Sequence, residues 1–201
     1  MRYTICLALT LAIVCLSAAA QAASSGDVQE VTQLLQTRIN SVLDVLDTQE
    51  MDEAEKKQHI MAIVEPVIDF GLMARLTLGR ANWGRLSADE QKKFEKLFVE
   101  RLKKSYLDKT TLYSDQEVTY KEGFTKQGKV HVPMEIAAKD EKAEVLYKFY
   151  PAQEGWKVYD VEINGVSLIR SYRSQFNEIL RNGSVRDLFE ELKKGGNALT
   201  D

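Results

Sequence analysis

The chain is poor in the residue types that most often carry chemistry. Its 201 residues include two cysteines, two histidines and three prolines. Both cysteines, Cys6 and Cys15, fall within the first fifteen positions. The rest of the chain has no thiol nucleophile and no disulfide, so its core must hold it together. His59 and His131 lie far apart on different expected elements, and no clustered ligand set for a metal is visible. There is no G-x-S-x-G elbow, no P-loop and no dinucleotide fingerprint. No apolar run reaches the roughly 20 residues of a membrane-spanning helix. Positive charge is not in excess either: the net charge is −3, which gives no electrostatic reason to bind nucleic acid or anionic headgroups.

What the chain does have begins at its N-terminus. Arg2 precedes an uncharged apolar run from Tyr3 to Leu16, followed by Ala20-Gln21-Ala22. That order reads as a cleavable secretory signal peptide over residues 1–22 and implies export to a bacterial periplasm. Val14 before Cys15 argues against a lipoprotein anchor. Cleavage would leave 179 residues, 23–201, enough for one domain with a substantial core, and would shift the net charge to −4 by removing Arg2.

Apolar residues at helical spacing predict a helix over 27–47, through Val28, Val31, Leu35, Ile39, Val42 and Leu46. A charged helix follows at 52–64. Pro66 suits the first turn of a third helix, with Gly79 as its stop. That helix is apolar over a wide arc, through Val67, Phe70, Leu72, Met73, Leu76 and Leu78. Ser87 and Glu90 form a capping box before a helix bearing Phe94, Leu97, Phe98, Leu102 and Tyr106. After Leu112 the period changes to two. Four strands are expected: one at Val118–Tyr120, one at Val130–Ile136, one at Val145–Phe149 and one over 156–163. Pro133 makes its strand an edge or a bulged one, and His131 is expected on the outward face. Asn164-Gly165 turns the chain into a helix from Ser167, ended by Asn182-Gly183. Ser184 and Asp187 cap the last helix. The fold class is α+β, with helices wrapped around a curved four-stranded antiparallel sheet.

Asp160 is the best candidate acid or base. A carboxylate in an apolar cone can abstract a proton. The competing reading has Asp160 facing solvent or paired with a cation from the helices, and Asp69 shares that ambiguity. No residue is assigned as catalytic, and no metal or cofactor is expected. The apolar surface is more informative. The stretch "WKVYDVEINGVSLIRSYRSQF" (156–176) carries Trp156, Val158, Val161 and Ile163 on its strand. Its second half carries Val166, Ile169, Tyr172 and Phe176 on a helix expected to close over that strand. Candidate positions for an apolar pocket lining are Phe70, Met73, Leu76, Phe94, Phe98, Tyr106, Val130, Val132, Met134, Val145, Tyr147, Val158, Val166, Ile169 and Tyr172.

Two segments carry a resemblance. One is "FGLMARLTLGRANWGRLSADEQKKFEKLF" (70–98), with Phe70, Met73, Ala74, Leu78, Gly79, Trp83, Ser87, Gln91, Phe94 and Phe98. The other is W-K-V-Y-D-V, G-V-S-L and Y-R-x-Q-F, at Trp156–Val161, Gly165–Leu168 and Tyr172–Phe176. Together they resemble the MlaC family of periplasmic phospholipid carriers, also called toluene-tolerance auxiliary proteins, over about residues 28–193. Trp83 stands one position later than the commonest L-G-x-x-W spacing places it. The resemblance implies a cone-like, NTF2-like sheet wrapped by helices and enclosing an apolar cavity, with acyl tails held between them against those candidate lipid-contact positions and the headgroup near solvent. It implies a monomer that meets membranes only transiently, shuttling between an outer-membrane lipoprotein complex and an inner-membrane MCE-type ABC transporter. A neighbouring branch is tied to hopanoids, so a polycyclic cargo is an alternative, as is an NTF2-like pocket enzyme using Asp160. The energetics suit a carrier. Each buried methylene gains about 0.8 kcal/mol over water, so two acyl chains gain roughly 20–25 kcal/mol. A bilayer offers about the same, which leaves transfer near balance and escape into water prohibitive.

Overall fold

The computed structural model describes residues 24–107, 116–138 and 141–194. The expected signal peptide at 1–22 lies outside them, as does the side chain of Tyr106. Helix α1 (Ser25–Asp47) starts with a capping box between Ser24 and Asp27, and α2 (Glu53–Val64) starts with one between Asp52 and Glu55. The stripe of α1 puts Val31 and Leu35 in the interior. Among the described residues no helix is long and apolar enough to cross a membrane.

Helix α3 (Phe70–Trp83) begins later than Pro66 suggests. Its cap is Asp69, whose Oδ1 accepts from the Leu72 N–H at 2.8 Å. The residues after Pro66 serve the sheet instead. The Val158 N–H donates to the Val67 carbonyl at 2.7 Å, and the Asp69 N–H donates to the Val158 carbonyl at 2.9 Å. Gly79 does not end the helix. It sits at φ +71° as a kink, and the helix resumes to Trp83. That left-handed φ suits glycine, which has no Cβ to clash. The kink frees the Leu76 carbonyl from the helical ladder. Arg173 fills the vacancy through Nε at 2.9 Å and through Nη2. Helix α4 (Ala88–Leu102) opens on the Ser87–Glu90 capping box, as its sequence predicts, and passes into a π-helical turn at Lys103–Leu107.

The sheet has six strands rather than four: β1 (Gln116–Tyr120), β2 (Phe124–Lys126), β3 (Lys129–Ala138), β4 (Glu141–Ala152), β5 (Gly155–Ile163) and β6 (Val166–Ser167). The order is β1-β3-β4-β5-β6, all antiparallel, and β2 also pairs with β3. β1 and β2 are thus two pieces of one edge row, and β6 is a two-residue addition after the Asn164-Gly165 turn. Pro133 lies on an interior strand, contrary to expectation. Its carbonyl accepts from the Lys121 N–H at 3.0 Å, so its missing donor faces the break between β1 and β2. The edge row is interrupted where the proline has nothing to offer. A bulge does occur, but between β4 and β5, where Lys148 opposes Asp160 and Phe149 opposes Val158, leaving Tyr159 unmatched.

One sheet face carries Val130, Phe149 and Val158 in one cross-strand row and Val132, Tyr147 and Val161 in the next. Tyr120, Met134, Val145 and Ile163 form a third. Helix α1 lies on this face, and α2 packs principally on α1. Helix α5 (Leu168–Asn182) is capped by Ser167, and α6 (Val185–Lys194) follows Ser184, whose hydroxyl accepts from the Asp187 N–H at 3.3 Å. Val166 therefore belongs to β6, not to the helix.

Candidate functional site

The apolar interior divides into two clusters. The first joins α3, α4, α5 and α6. Phe94 and Phe98 stack at 6.0 Å. Phe176 meets Phe94 edge-on at 5.5 Å, and Tyr172 meets Phe98 edge-on at 5.3 Å. Both geometries suit the quadrupoles of the rings. Met73, Ala74, Leu78, Leu102, Ile169, Leu188 and Leu192 complete a closed core.

The second cluster lies between α1 and the sheet. Val31, Leu35, Val130, Val132, Phe149 and Val158 are buried in it. Around them is a wider ring of half-buried apolar side chains, including Val28, Leu34 and Ile39 from α1 and Tyr120, Tyr147 and Val161 from the sheet. Further along the same surfaces, Val42, Leu43 and Leu46 on α1 and Ile136 and Ile163 on the sheet are also only half buried. Burial pushes the Tyr147 phenol up to about 12, although the residue keeps accessible surface. Two of the surface concavities formed by described residues lie on the helical side. One, of about 420 Å³, is lined by Lys92, Glu95, Lys96, Val99 and Glu100 on α4 and by Lys103 at the start of the π-helical turn. The other, of about 210 Å³, lies between α4 and α6. Both are charged, and neither is the apolar cavity expected of the cone.

The fifteen candidate positions separate along this division. Phe70, Met73, Leu76, Phe94, Phe98, Ile169 and Tyr172 belong to the helical cluster. Val130, Val132, Tyr147 and Val158 belong to the sheet cluster, and Met134 and Val145 are buried on the same sheet face. Val166 is 47% exposed, and the Tyr106 side chain lies outside the described residues. The helix that follows β6 does not close over its own strand: Ile169, Tyr172 and Phe176 pack against α3 and α4, while Trp156, Val158 and Val161 face α1. Sequence reasoning missed α1 as the covering helix. Its apolar stripe was the available signal, but periodicity does not say which surface a stripe meets.

Asp160 is not poised as a base. It is buried, and Lys148 from the neighbouring strand pairs with it at 2.9 Å. The Ser167 hydroxyl donates to Asp160 at 2.8 Å and the Ile169 N–H at 3.2 Å, so the carboxylate anchors the start of α5. Burial opposes the charge of Lys148, but hydrogen bonds to Glu162 and Asp160 outweigh it and raise its pKa. The partner comes from the sheet, not from the helices. Asp69 likewise caps α3 and accepts from the Tyr150 hydroxyl, which pushes Tyr150 up to about 12. His131 lies on the outward face, as expected, but is buried there against the Phe124 ring at 5.2 Å. Burial, then the nearby Lys148, pushes its pKa down.

The family model described as MlaC protein matches residues 29–194. The chain belongs to the MlaC family. No curated protein matches it. Among solved structures, the phospholipid-binding protein from Ralstonia solanacearum in complex with a phospholipid aligns with a TM-score of 0.70 at 24% identity. The alignment covers 81% of this chain and 94% of that one, and it establishes a shared fold. The MlaC-like motif residues have structural work in this chain. Gly79 supplies the kink, and Arg173 completes the carbonyl that the kink strands. Gln91 donates to the Trp83 carbonyl at 3.0 Å and holds the turn before α4. Trp83 then meets Phe94 edge-on at 6.3 Å.

Proposed function

We propose that this protein is a periplasmic phospholipid carrier that holds acyl tails between α1 and the inner face of the sheet. Membership of the MlaC family carries this reading, and the fold shared with a phospholipid-bound protein supports it. The under-covered apolar layer around Val132, Tyr147 and Val161 is the surface best suited to tails, because methylenes there replace accessible apolar area. The packed helical cluster is then scaffold. The protein works without catalysis, as a monomer exported by its signal peptide. It passes lipid between an outer-membrane lipoprotein complex and an inner-membrane MCE-type ABC transporter, and so contributes to outer-membrane lipid asymmetry. The charged outer side of α4 is the docking candidate, together with Arg170. Arg173 is excluded, since it is committed to Leu76.

Native mass spectrometry of protein purified without detergent, followed by lipid extraction, tests the reading. Stoichiometric glycerophospholipid is expected. A bound hopanoid would reassign the cargo. An empty protein that takes up no lipid from vesicles would remove the carrier reading.

A further inference from the structure

The mild net negative charge conceals a local positive excess on the sheet face turned away from α1. Register places Phe124, His131, Lys148 and Asp160 in one row across that face. Lys126 and Lys129 pair with each other at the next outward position, at the end of the β2–β3 hairpin. The hairpin closes through a two-residue turn with φ of +54° at Gln127 and +72° at Gly128, a tight geometry that matches the strand twist and fixes the tip. Phe124 is 43% exposed and, with Val166, is one of two exposed large hydrophobic side chains among the described residues. Its ring meets the His131 ring at 5.2 Å, so the aromatic surface stands at the centre of the row rather than beside it.

The charges around this ring are mostly cations. Lys148 is neutralised by Asp160 at 2.9 Å and by Glu162, and Glu162 also takes Arg170 at 3.2 Å. The Lys129 ammonium sits over the Tyr159 ring at 4.3 Å, which holds it on this face without cancelling its charge. Lys126 is exposed and has no ion pair among the described residues. His131 reports the resulting potential from inside the patch. After burial, Lys148, Lys126 and Lys129 lower its pKa, and Glu162 opposes them. On α4, by contrast, the lysines of the larger concavity are interleaved with Glu95 and Glu100.

We propose that Phe124, Lys126 and Lys129 form a docking patch for the surface of an anionic phospholipid bilayer. The inference goes beyond the carrier reading, since the patch lies on the opposite sheet face from α1 and takes no part in holding tails. Each lysine near an anionic membrane surface favours binding by about fivefold. An exposed apolar ring between such lysines enters the boundary between headgroups and acyl chains. An acidic protein surface would satisfy the two lysines but gives Phe124 no apolar partner. The bilayer boundary supplies negative charge and apolar depth together, and that is the pair of properties the hairpin presents. The contact is weak and screened by salt, as suits a protein that meets membranes briefly.

The test is flotation of the whole protein with vesicles of phosphatidylglycerol or of phosphatidylcholine, over a range of salt. Binding to phosphatidylglycerol should exceed binding to phosphatidylcholine by about tenfold or more at low salt and fall steeply as salt is added. Lys126→Glu has no described contact to lose, so it should fold as wild type and weaken phosphatidylglycerol binding about fivefold or more. Adding Lys129→Glu should weaken it further by a similar factor, and Phe124→Ser should weaken it roughly threefold at every salt concentration. Lys92→Glu with Lys96→Glu, on α4, should leave it unchanged. Equal binding to both vesicles, or a loss caused by the α4 variant and not by the hairpin variants, would overturn the patch. Phospholipid uptake judges the carrier separately. Uptake without any preference for anionic vesicles would overturn the patch and leave the carrier standing, whereas docking without uptake would defeat the carrier and leave the patch. Salt-sensitive capture by polyglutamate with no vesicle binding would reassign the patch to an acidic protein and overturn the proposal.

Discussion

The two apolar clusters are built on opposite plans. The helical cluster is surrounded: α3, α4, α5 and α6 each contribute buried side chains, and its aromatic rings meet in stacked and edge-on pairs. Among the described residues, the sheet cluster has one helix over a broad sheet face, and more of its apolar members are half buried than buried. Close packing rewards the first arrangement and leaves the second short of partner atoms. The same residue types therefore serve different ends. Where elements surround them they are core, and where one helix covers many strands they are surface waiting for a partner.

Truncation in the closed cluster should have the largest effect. Phe98 is fully buried, and Phe98→Ala should cost about 3–5 kcal/mol through lost burial and a cavity. A shift in the urea midpoint that small surface substitutions produce would mean this cluster is not close-packed. Two insertions then probe the boundary of the other cluster. Val132 is 0% exposed beneath Val31 and Leu35, so Val132→Trp should overpack and cost about 1–3 kcal/mol. Val161, one row partner away across Tyr147, is only half buried. Val161→Trp should leave the lipid-free unfolding midpoint near wild type and clearly reduce phospholipid uptake from vesicles. Equal loss of stability in both variants would erase the distinction between the clusters.

Arg173→Met tests the joint between α3 and α5. It keeps most of the aliphatic stem but strands the Leu76 carbonyl, and should cost about 1–3 kcal/mol. Lipid uptake at temperatures where the variant is folded should be unchanged, since the joint belongs to the closed cluster. The smallest effect comes from the outer sheet face. His131, with Lys148, Lys126, Lys129 and Glu162 around it, has its pKa lowered from the ordinary 6.5. The unfolded chain then binds more protons than the native state below about pH 6.5. This part of the stability is present above that value and is lost as pH falls towards the native pKa. Comparing urea midpoints of wild type and His131→Gln between pH 7.5 and 5 should show the slope only in wild type. Lipid uptake at pH 7.5 should match, because His131 faces away from α1. Altered uptake would mean that the two faces of the sheet are coupled.

Much of the fold was legible in the amino-acid order, because its causes are local. The capping box at Ser87 and Glu90, the stripe of α1, the switch to period two and the Asn164-Gly165 turn each act within a few residues, and each appears where the spacing puts it. The departures come from long-range partners. Pro66 was a sound helix start by local chemistry, but the residues after it found hydrogen bonds on β5 and delayed the helix to Phe70. Gly79 was a sound stop, but Arg173, distant in sequence, takes the stranded carbonyl and lets the helix resume. Asp160 looked exposed or catalytic until Lys148, Ser167 and the Ile169 N–H converged on it. The sequence by itself determined that the chain has apolar stripes in excess of its polar chemistry, and where each stripe runs. Only the tertiary structure decided that the stripe of α5 is spent inside the helical core while α1, among the described helices, is the one left to cover the sheet face of Val130, Val132 and Val158. Burial depends on how many elements converge on a surface, and no periodicity within one element records that number.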